Sequence, residues 1–328
     1  MTPLLAADAL SCRFPGPAPG LLARLRRTPL VQVHAVSDVT LHVGAHEALG
    51  LVGESGCGKS TLGRMMAGIL PPSGGDVLWQ GQRVTSLRGR ARRAWALGVQ
   101  MVFQDPQSSL NPRRRVVDLV GEAPVLHGIV PAAGVRGYVA GLLEEVGLDD
   151  AALDRLPHQF SGGQRQRIGI ARALAVQPAA LVCDEAVSAL DVSVQAQVIN
   201  LLADLRARRG LALLFIGHDL TVVRHLADRV AVMYLGRIVE DGPAAAVFGR
   251  PAHPYTAALM DQMPRLEPGR KRFAPLRGEL PSPLRPPSGC AFHPRCPQAF
   301  DRCRIERPVL ADVTAGQRAA CHLHLPPT

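Results

Sequence analysis

Residues 53–61 read Gly53-Glu54-Ser55-Gly56-Cys57-Gly58-Lys59-Ser60-Thr61. Four residues separate Gly53 from Gly58, and Lys59 and Ser60 follow at once. That is the spacing of a phosphate-binding P-loop. Its glycines let the backbone turn tightly and aim N–H groups at phosphate oxygens. In this pattern Lys59 reaches the β- and γ-phosphates, and the Ser60 hydroxyl ligates Mg²⁺. The flanks agree. Ala48-Leu49-Gly50-Leu51-Val52 is a short apolar run, as a buried strand requires, and Thr61–Leu70 reads as a helix stopped by Pro71-Pro72. The helix start adds partial positive charge at the phosphates. A Gly-rich turn that binds nothing would not need strand, loop, Lys-Ser and helix together.

A second helix start lies about a hundred residues downstream, at Phe160-Ser161-Gly162-Gly163-Gln164-Arg165-Gln166. Ser161 reads as an N-cap, with glycines at the entry and a helix over Gln164–Ala175. This stretch resembles the signature motif of ABC-type ATPases. In that family the signature of one subunit closes over the P-loop of another, so that ATP is held between them. The other motifs of the family stand in the expected order. Ala179–Cys183 is an apolar run ending in Asp184-Glu185. By resemblance Asp184 holds Mg²⁺ as the Walker B carboxylate, and Glu185 polarises the attacking water. Ser188-Ala189-Leu190-Asp191 resembles the D-loop. His218, after the apolar run Leu211–Gly217, matches the switch histidine. Gln104, after Val99–Phe103, matches the Q-loop glutamine, which senses metal and water. A lone His or Gln would normally be structural; each gains weight from its order in the set. Phe14 is the candidate for stacking on adenine, with a core position in an N-terminal strand as the alternative. Ala186 departs from the pattern, which has proline after the glutamate. Alanine keeps the chemistry and puts the stiffness of that turn in question.

The chain has 328 residues, which allows one large α/β domain and something smaller. No stretch approaches the ~20 uninterrupted apolar residues of a membrane span. The first residues, Met1-Thr2-Pro3-Leu4-Leu5-Ala6-Ala7-Asp8, lack the basic and apolar regions of a secretory signal. The net charge of +10 suits an anionic surface, but with aromatics at 4% base-stacking surfaces for nucleic acid are not expected.

The expected fold is an α/β, P-loop ABC-type nucleotide-binding domain. It comprises a RecA-like core (49–104 and 176–240), an antiparallel β edge (1–48) with an irregular insert over Pro15–Thr28, and a helical subdomain at about 105–175. The loop Asp105–Arg113 is expected to face a membrane subunit. The ATPase domain is expected to span 1–264. From about Pro264 proline and arginine become dense and periodicity is lost, so 265–328 reads as an appended tail region.

The tail narrows the resemblance. His253-Pro254-Tyr255-Thr256, Gly278–Pro283 and Pro286–Cys290 resemble the C-terminal region of oligopeptide and dipeptide importer ATPases, as do Gln104-Asp105-Pro106, Ser109-Leu110-Asn111-Pro112 and Tyr234-Leu235-Gly236. The long N-terminal insert is most like the second, F-type ATPase of these importers. The resemblance implies a companion ATPase as heterodimer partner, two permeases and an extracytoplasmic substrate-binding protein. It places the chain at the cytoplasmic face of the inner membrane, hydrolysing ATP to import peptides. Nickel or glutathione are alternative cargoes. A soluble ABC ATPase acting on nucleic acid or ribosomes would carry paired nucleotide domains or a coiled-coil insert, and this chain has one motif set and no heptad run.

Of seven cysteines, Cys12, Cys57 and Cys183 fall in strands or the P-loop, and Cys57 and Cys183 read as small packing residues. Cys290, Cys296, Cys303 and Cys321 cluster in the tail. Gaps this wide are unlike paired structural zinc ligands; an iron–sulfur cluster takes four thiolates at variable spacing. A [4Fe–4S] cluster is the favoured reading, and some importers of this branch carry one in the tail. Zinc, with His293, His322 or His324 as further ligands, and no metal at all are the alternatives. Any metal there would staple a segment too poor in large apolar residues to bury a core.

Overall fold

The computed structural model describes residues 2–16, 32–105, 109–188, 190–262 and 278–325. Most of the expected N-terminal insert, residues 106–108 of the loop at 105–113, Ala189 of the expected D-loop and residues 265–277 of the tail lie outside the described residues.

In chain order the strands and helices run as follows. β1 (Leu5–Pro15) and β2 (Gln32–Val43) pair antiparallel, with Leu5 opposite Val43. β3 (Ala48–Val52) feeds the P-loop and α1 (Lys59–Met66). β4 (Gly74–Trp79) and β5 (Gln82–Arg83) return to the antiparallel layer, and α2 (Gly89–Gly98) leads to β6 (Val99–Val102). Three helices follow: α3 (Val116–Leu126), α4 (Val135–Glu145) and α5 (Gly162–Leu174). Then come β7 (Ala180–Asp184), α6 (Val192–Arg209), β8 (Ala212–Ile216), α7 (Leu220–Leu226), β9 (Arg229–Tyr234) and β10 (Arg237–Pro243). The chain continues through α8 (Ala244–Gly249) and α9 (Pro254–Asp261) to α10 (Asp301–Ile305), β11 (Ala311–Thr314) and β12 (Gln317–Ala319).

The antiparallel layer has the order β2-β1-β4-β5, and the main sheet the order β11-β12-β10-β9-β3-β8-β7-β6. From β6 to β9 the pairs are parallel; from β9 outward they are antiparallel. Every residue of β3, β7 and β8 is buried. Parallel strands covered on both faces read as continuous apolar runs, which is how these three appear in the sequence. One face packs α1 against the antiparallel layer, with Leu10, Val39, Leu62 and Met66 in that core. The other carries α3, α4, α5, α6, α7 and α9, and the tail residue Phe292 joins this second core. The parallel strands of the main sheet all end on the side where the P-loop, Asp184 and His218 lie, the usual place for a ligand in an open α/β sheet.

The helix expected over Thr61–Leu70 begins at Lys59 and ends at Met66. The N–H groups of Ile69 and Leu70 both turn back to the Arg64 carbonyl, which closes the last turn before the prolines are reached. In the tail, where regular periodicity is lost, β11 and β12 nonetheless extend the main sheet. These short strands are held by backbone pairing and by a polar group. Glu240, fully buried on β10, accepts from the N–H groups of Ala252 and His253 and from Gln317 Nε2, each at 2.8 Å.

Candidate ATP site

The P-loop forms a tight cradle between β3 and α1. Gly58 has φ 108, and a Cβ there would overlap the carbonyl of Ala35 on β2. Only glycine permits both the backbone angle and the close approach. Lys59 is buried, and its Nζ donates to the carbonyls of Gly53 at 2.8 Å and Glu54 at 3.0 Å. The ammonium is thus held at the mouth of the loop that carries the N–H groups of Ser55, Gly56, Cys57, Gly58 and Ser60. Thr61 follows in the first turn of α1.

Ser60 is the second residue of α1 and Asp184 ends β7. Ser60 Oγ donates to Asp184 Oδ1 at 2.6 Å. Asp184 is buried, and its Oδ2 has no hydrogen-bond partner among the described residues; Arg64 Nη2 stands 4.0 Å from it. Burial pushes the Asp184 carboxyl up, while the Ser60 hydroxyl and Arg64 pull it back. An orphaned carboxylate oxygen beside a hydroxyl is the oxygen donor set that suits Mg²⁺. These residues therefore fit the ion that nucleoside triphosphates carry.

Glu185 follows with φ 44, a left-handed backbone that directs the next turn away from the strand. Its N–H donates to the Ile216 carbonyl at 2.9 Å, and its own carbonyl accepts from the Ser188 N–H and hydroxyl. Ala186 is buried in this turn. These bonds hold the turn without the proline that the family pattern has. Gln104 Nε2 donates to Glu185 Oε2 at 2.8 Å, and His218 Nδ1 lies 3.6 Å from Glu185 Oε1. Side chains from the ends of β6 and β8 therefore meet at the carboxylate that follows β7. Such a group can orient a water for attack on a phosphate held by the P-loop.

Phe14 stands near the end of β1, opposite Val33, and is 37% exposed. It is a surface aromatic and not the core residue that was its alternative. Ser161 caps α5: its Oγ accepts from the Gln164 N–H at 3.3 Å, and Gln164 Oε1 accepts from the Ser161 N–H at 3.0 Å. The helix starts at Gly162, two residues before the expected Gln164. A Cβ on Gly163 would overlap Val194, so glycine sets the approach of α5 to α6. Gly162 faces Leu190 beside it. Asp191 is the exposed N-cap of α6. Among the described residues no hydrogen bond joins Ser161, Gly162, Gly163 or Gln164 to the P-loop.

Two contacts to the P-loop have no local signal in the sequence. The Glu54 N–H donates to the Tyr255 hydroxyl, and the Glu54 carboxylate pairs with Arg295 of the tail. Tyr255 stands in a stretch that carries only the family resemblance, and nothing near Arg295 points 241 residues back.

The four tail cysteines come close together. The Cys290 N–H donates to the Cys303 carbonyl at 2.9 Å, and burial, with Cys303, Cys321 and Cys296 adding, pushes the Cys290 thiol up to about 11. Even so, among the described residues no three Cys, His, Asp or Glu side chains are arranged to hold a metal ion. The expected [4Fe–4S] ligand set is not formed by these thiols, nor is the zinc alternative. Sequence spacing brings sulfurs into one segment, but ligation needs their side chains to face one centre, and packing against the helical core decides where Cys290 and Cys296 face. Cys12, Cys57 and Cys183 are buried, as packing residues should be.

Fold and site together define an ABC-type ATPase. Residues 36–188 match the ABC transporter family model, and residues 239–303 match that of the oligopeptide/dipeptide transporter C-terminal region. The chain is 49% identical to the "Probable peptide ABC transporter ATP-binding protein y4tS" of Sinorhizobium fredii, over 98% of this chain and 90% of that protein. It is 45% identical to the dipeptide transport ATP-binding protein DppF of Haemophilus influenzae, over 98% of this chain and 96% of that one. Among solved structures, cbiO1 of Clostridium perfringens, part of the ABC transporter complex cbiONQ, superposes with a TM-score of 0.62 at 25% identity, over 76% of this chain and 92% of that one. The chain belongs to the peptide-transporter branch of ABC transporter ATP-binding proteins. No helix among the described residues is long and apolar enough to cross a membrane.

Proposed function

We propose that this chain is the ATP-hydrolysing subunit that powers peptide import through an inner-membrane ABC transporter. The observation that carries the reading is the meeting of Gln104 and His218 at Glu185, beside the Ser60–Asp184 pair. Gly53–Thr61 cradle the phosphates, Lys59 neutralises their charge, and Phe14 stacks on the adenine. Ser60 and Asp184, with Gln104 as a further candidate, would hold Mg²⁺, which would supply Lewis-acid charge for phosphoryl transfer. Glu185 orients and polarises the attacking water, and His218 and Gln104 hold that carboxylate in place. No covalent nucleophile is needed, since phosphoryl transfer rests on positioning and electrostatics.

Ser161, Gly162, Gly163, Gln164 and Asp191 act on the ATP of a companion ATPase in a heterodimer. The self-satisfied cap at Ser161, unconnected to its own P-loop, supports that assignment. The ATPase domain covers 1–264 and the tail region 265–328. Of the two permeases, one docks on this chain at a groove of about 650 Å³ beside Gln104, lined by Ile69, Phe103, Asn111, Leu126 and Arg172. The exposed Ile69 and Leu126 support this docking. The complex sits at the cytoplasmic face of the inner membrane and receives cargo from an extracytoplasmic binding protein. A [4Fe–4S] cluster on Cys290, Cys296, Cys303 and Cys321 would need their side chains to turn to one centre, which the described arrangement does not provide. Iron and sulfide analysis after anaerobic purification decides it.

The test of the ATPase reading is Glu185→Gln in the assembled transporter, with the companion's own glutamate also replaced. ATP binding should persist while turnover falls by about 10²–10⁴. Turnover near the wild-type rate would refute the role of Glu185.

A further inference from the structure

Glu54 is the second residue of the P-loop, and three of its polar groups are tied. Its N–H donates to the Tyr255 hydroxyl at 2.8 Å, its carbonyl accepts from Lys59 Nζ, and its carboxylate receives both Arg295 Nη1 at 2.7 Å and Nη2 at 2.9 Å. Tyr255 and Arg295 both belong to the C-terminal part of the chain. The Arg295 side chain is 5% exposed and that of Glu54 24%, so this is a largely desolvated, two-bonded ion pair and not a surface one. The Glu54 carboxylate holds the guanidinium firmly in its charged form.

Arg295 is itself aimed by packing. Phe292 is buried between Tyr234, Tyr255 and His253, with ring centroids 5.3, 5.4 and 5.7 Å away. The Arg295 N–H closes a turn onto the Phe292 carbonyl at 2.9 Å. Anchored by that ring, the turn sends the guanidinium across Tyr234 to Glu54. The tail also reaches the antiparallel layer, where the Pro283 carbonyl accepts from the His34 N–H at 3.1 Å.

We infer that Arg295 is a positioning residue of the ATP site: through Glu54 it makes the aim of the P-loop depend on a docked C-terminal tail. The inference rests on the reading of residues 53–61 as the ATP site. The loop's N–H groups serve phosphate best when they already point at it, because ordering them on binding costs affinity. Arg295 and Tyr255 hold the first turn of the loop through Glu54. Glu185, Gln104 and His218 stand at other strand ends and are untouched by this contact. Loss of Arg295 therefore weakens ATP binding and leaves the chemical step alone.

The experiment measures the Kd of Mg-ATP for the full chain, and KM and kcat in the assembled transporter. Arg295→Ala should raise Kd and KM about tenfold, with kcat within about twofold of wild type. Arg295→Lys should recover only part, since one ammonium cannot make the two-bonded pair. The losses in Arg295→Ala and Glu54→Ala should not add in the double variant, because both break one contact. Arg302→Ala removes the Arg302–Glu306 pair of α10 and should leave Kd unchanged. Hydrogen exchange at 311–319 reports whether the tail stays folded. If Arg295→Ala unfolds it, Glu54→Gln, which keeps the shape and removes the charge, should still weaken binding with the tail protected. An unchanged Kd in Arg295→Ala, a fall in kcat at constant KM, an unchanged Kd in Glu54→Gln, or an equal loss in Arg302→Ala would overturn the inference while the ATP-site reading stands. Wild-type chain that binds no ATP would sink both.

Discussion

Strands β6, β7, β8, β3 and β9 meet as a parallel array whose three inner members are wholly buried, whereas β10 and β12 at the other end of the same sheet are joined around buried charge. The parallel half needs only apolar side chains and helices on both faces. The antiparallel end needs specific partners. Glu240 takes three donors from two separate segments, and Asp241 pairs with Arg229 on β9 and Arg318 on β12. One end is fixed by non-directional burial, the other by directional bonds that fail if any partner moves. The chemistry stands at the strand tips of the first end, and the tail that grips Glu54 is attached to the second.

The largest effect separating the two ends is expected at Glu240. Glu240→Ala leaves the Ala252 and His253 N–H groups and the Gln317 amide without their acceptor, at about 3 kcal/mol or more in total. Hydrogen exchange should rise first in β10, β12 and the start of α9, with β3, β7 and β8 still protected. Simultaneous loss of protection across the sheet would erase the distinction between the ends.

A smaller effect follows from acid. His253 is buried as the N-cap of α9, its Nδ1 accepting from the Tyr255 N–H at 3.0 Å. Burial, with His324 adding, lowers its pKa from 6.5 to about 3. Between those values the unfolded chain holds a proton that the folded chain does not. This contribution is therefore fully present above 6.5 and shrinks as pH falls, by about 1.4 kcal/mol per pH unit, until the folded group also protonates. Urea titrations at pH 7.5 and 5.5, compared with His253→Asn, isolate it. Asparagine keeps an N-cap acceptor and cannot titrate. The same pH slope in both proteins would show that His253 contributes nothing.

The smallest effect on the isolated chain is expected at Ser161, which belongs to neither end of the sheet. Ser161→Arg should leave the ATP affinity of the isolated chain unchanged and stop turnover of the assembled transporter by blocking closure. A large loss of ATP binding by the chain alone would mean that the signature acts on its own P-loop.

Legibility in the sequence follows the same division. The P-loop, the Asp184-Glu185 strand end, Gln104, His218 and the capped start of α5 were readable because each is a short local pattern with one physical job. Lys59, Ser60 and Asp184 then fell where such patterns place them. The helix after the P-loop was read too long, because its stop comes from the Arg64 carbonyl and not from the prolines. The strands of the tail were missed, since three or four residues paired through their backbone leave no apolar alternation to see. The cysteines were seen to cluster, but their side-chain directions depend on packing that spacing does not encode.

By itself the sequence determined the fold class, the order of the parallel strands' motifs and the candidate groups for a triphosphate, because local turns and apolar runs specify these. Tertiary structure alone decided that Gln104 and His218 share one carboxylate, that Asp184 keeps a bare oxygen beside Ser60, and that Tyr255 and Arg295 hold Glu54 from as far as 241 residues away. Contacts between distant segments are set by how buried surfaces pack, and no window of neighbouring residues carries that information.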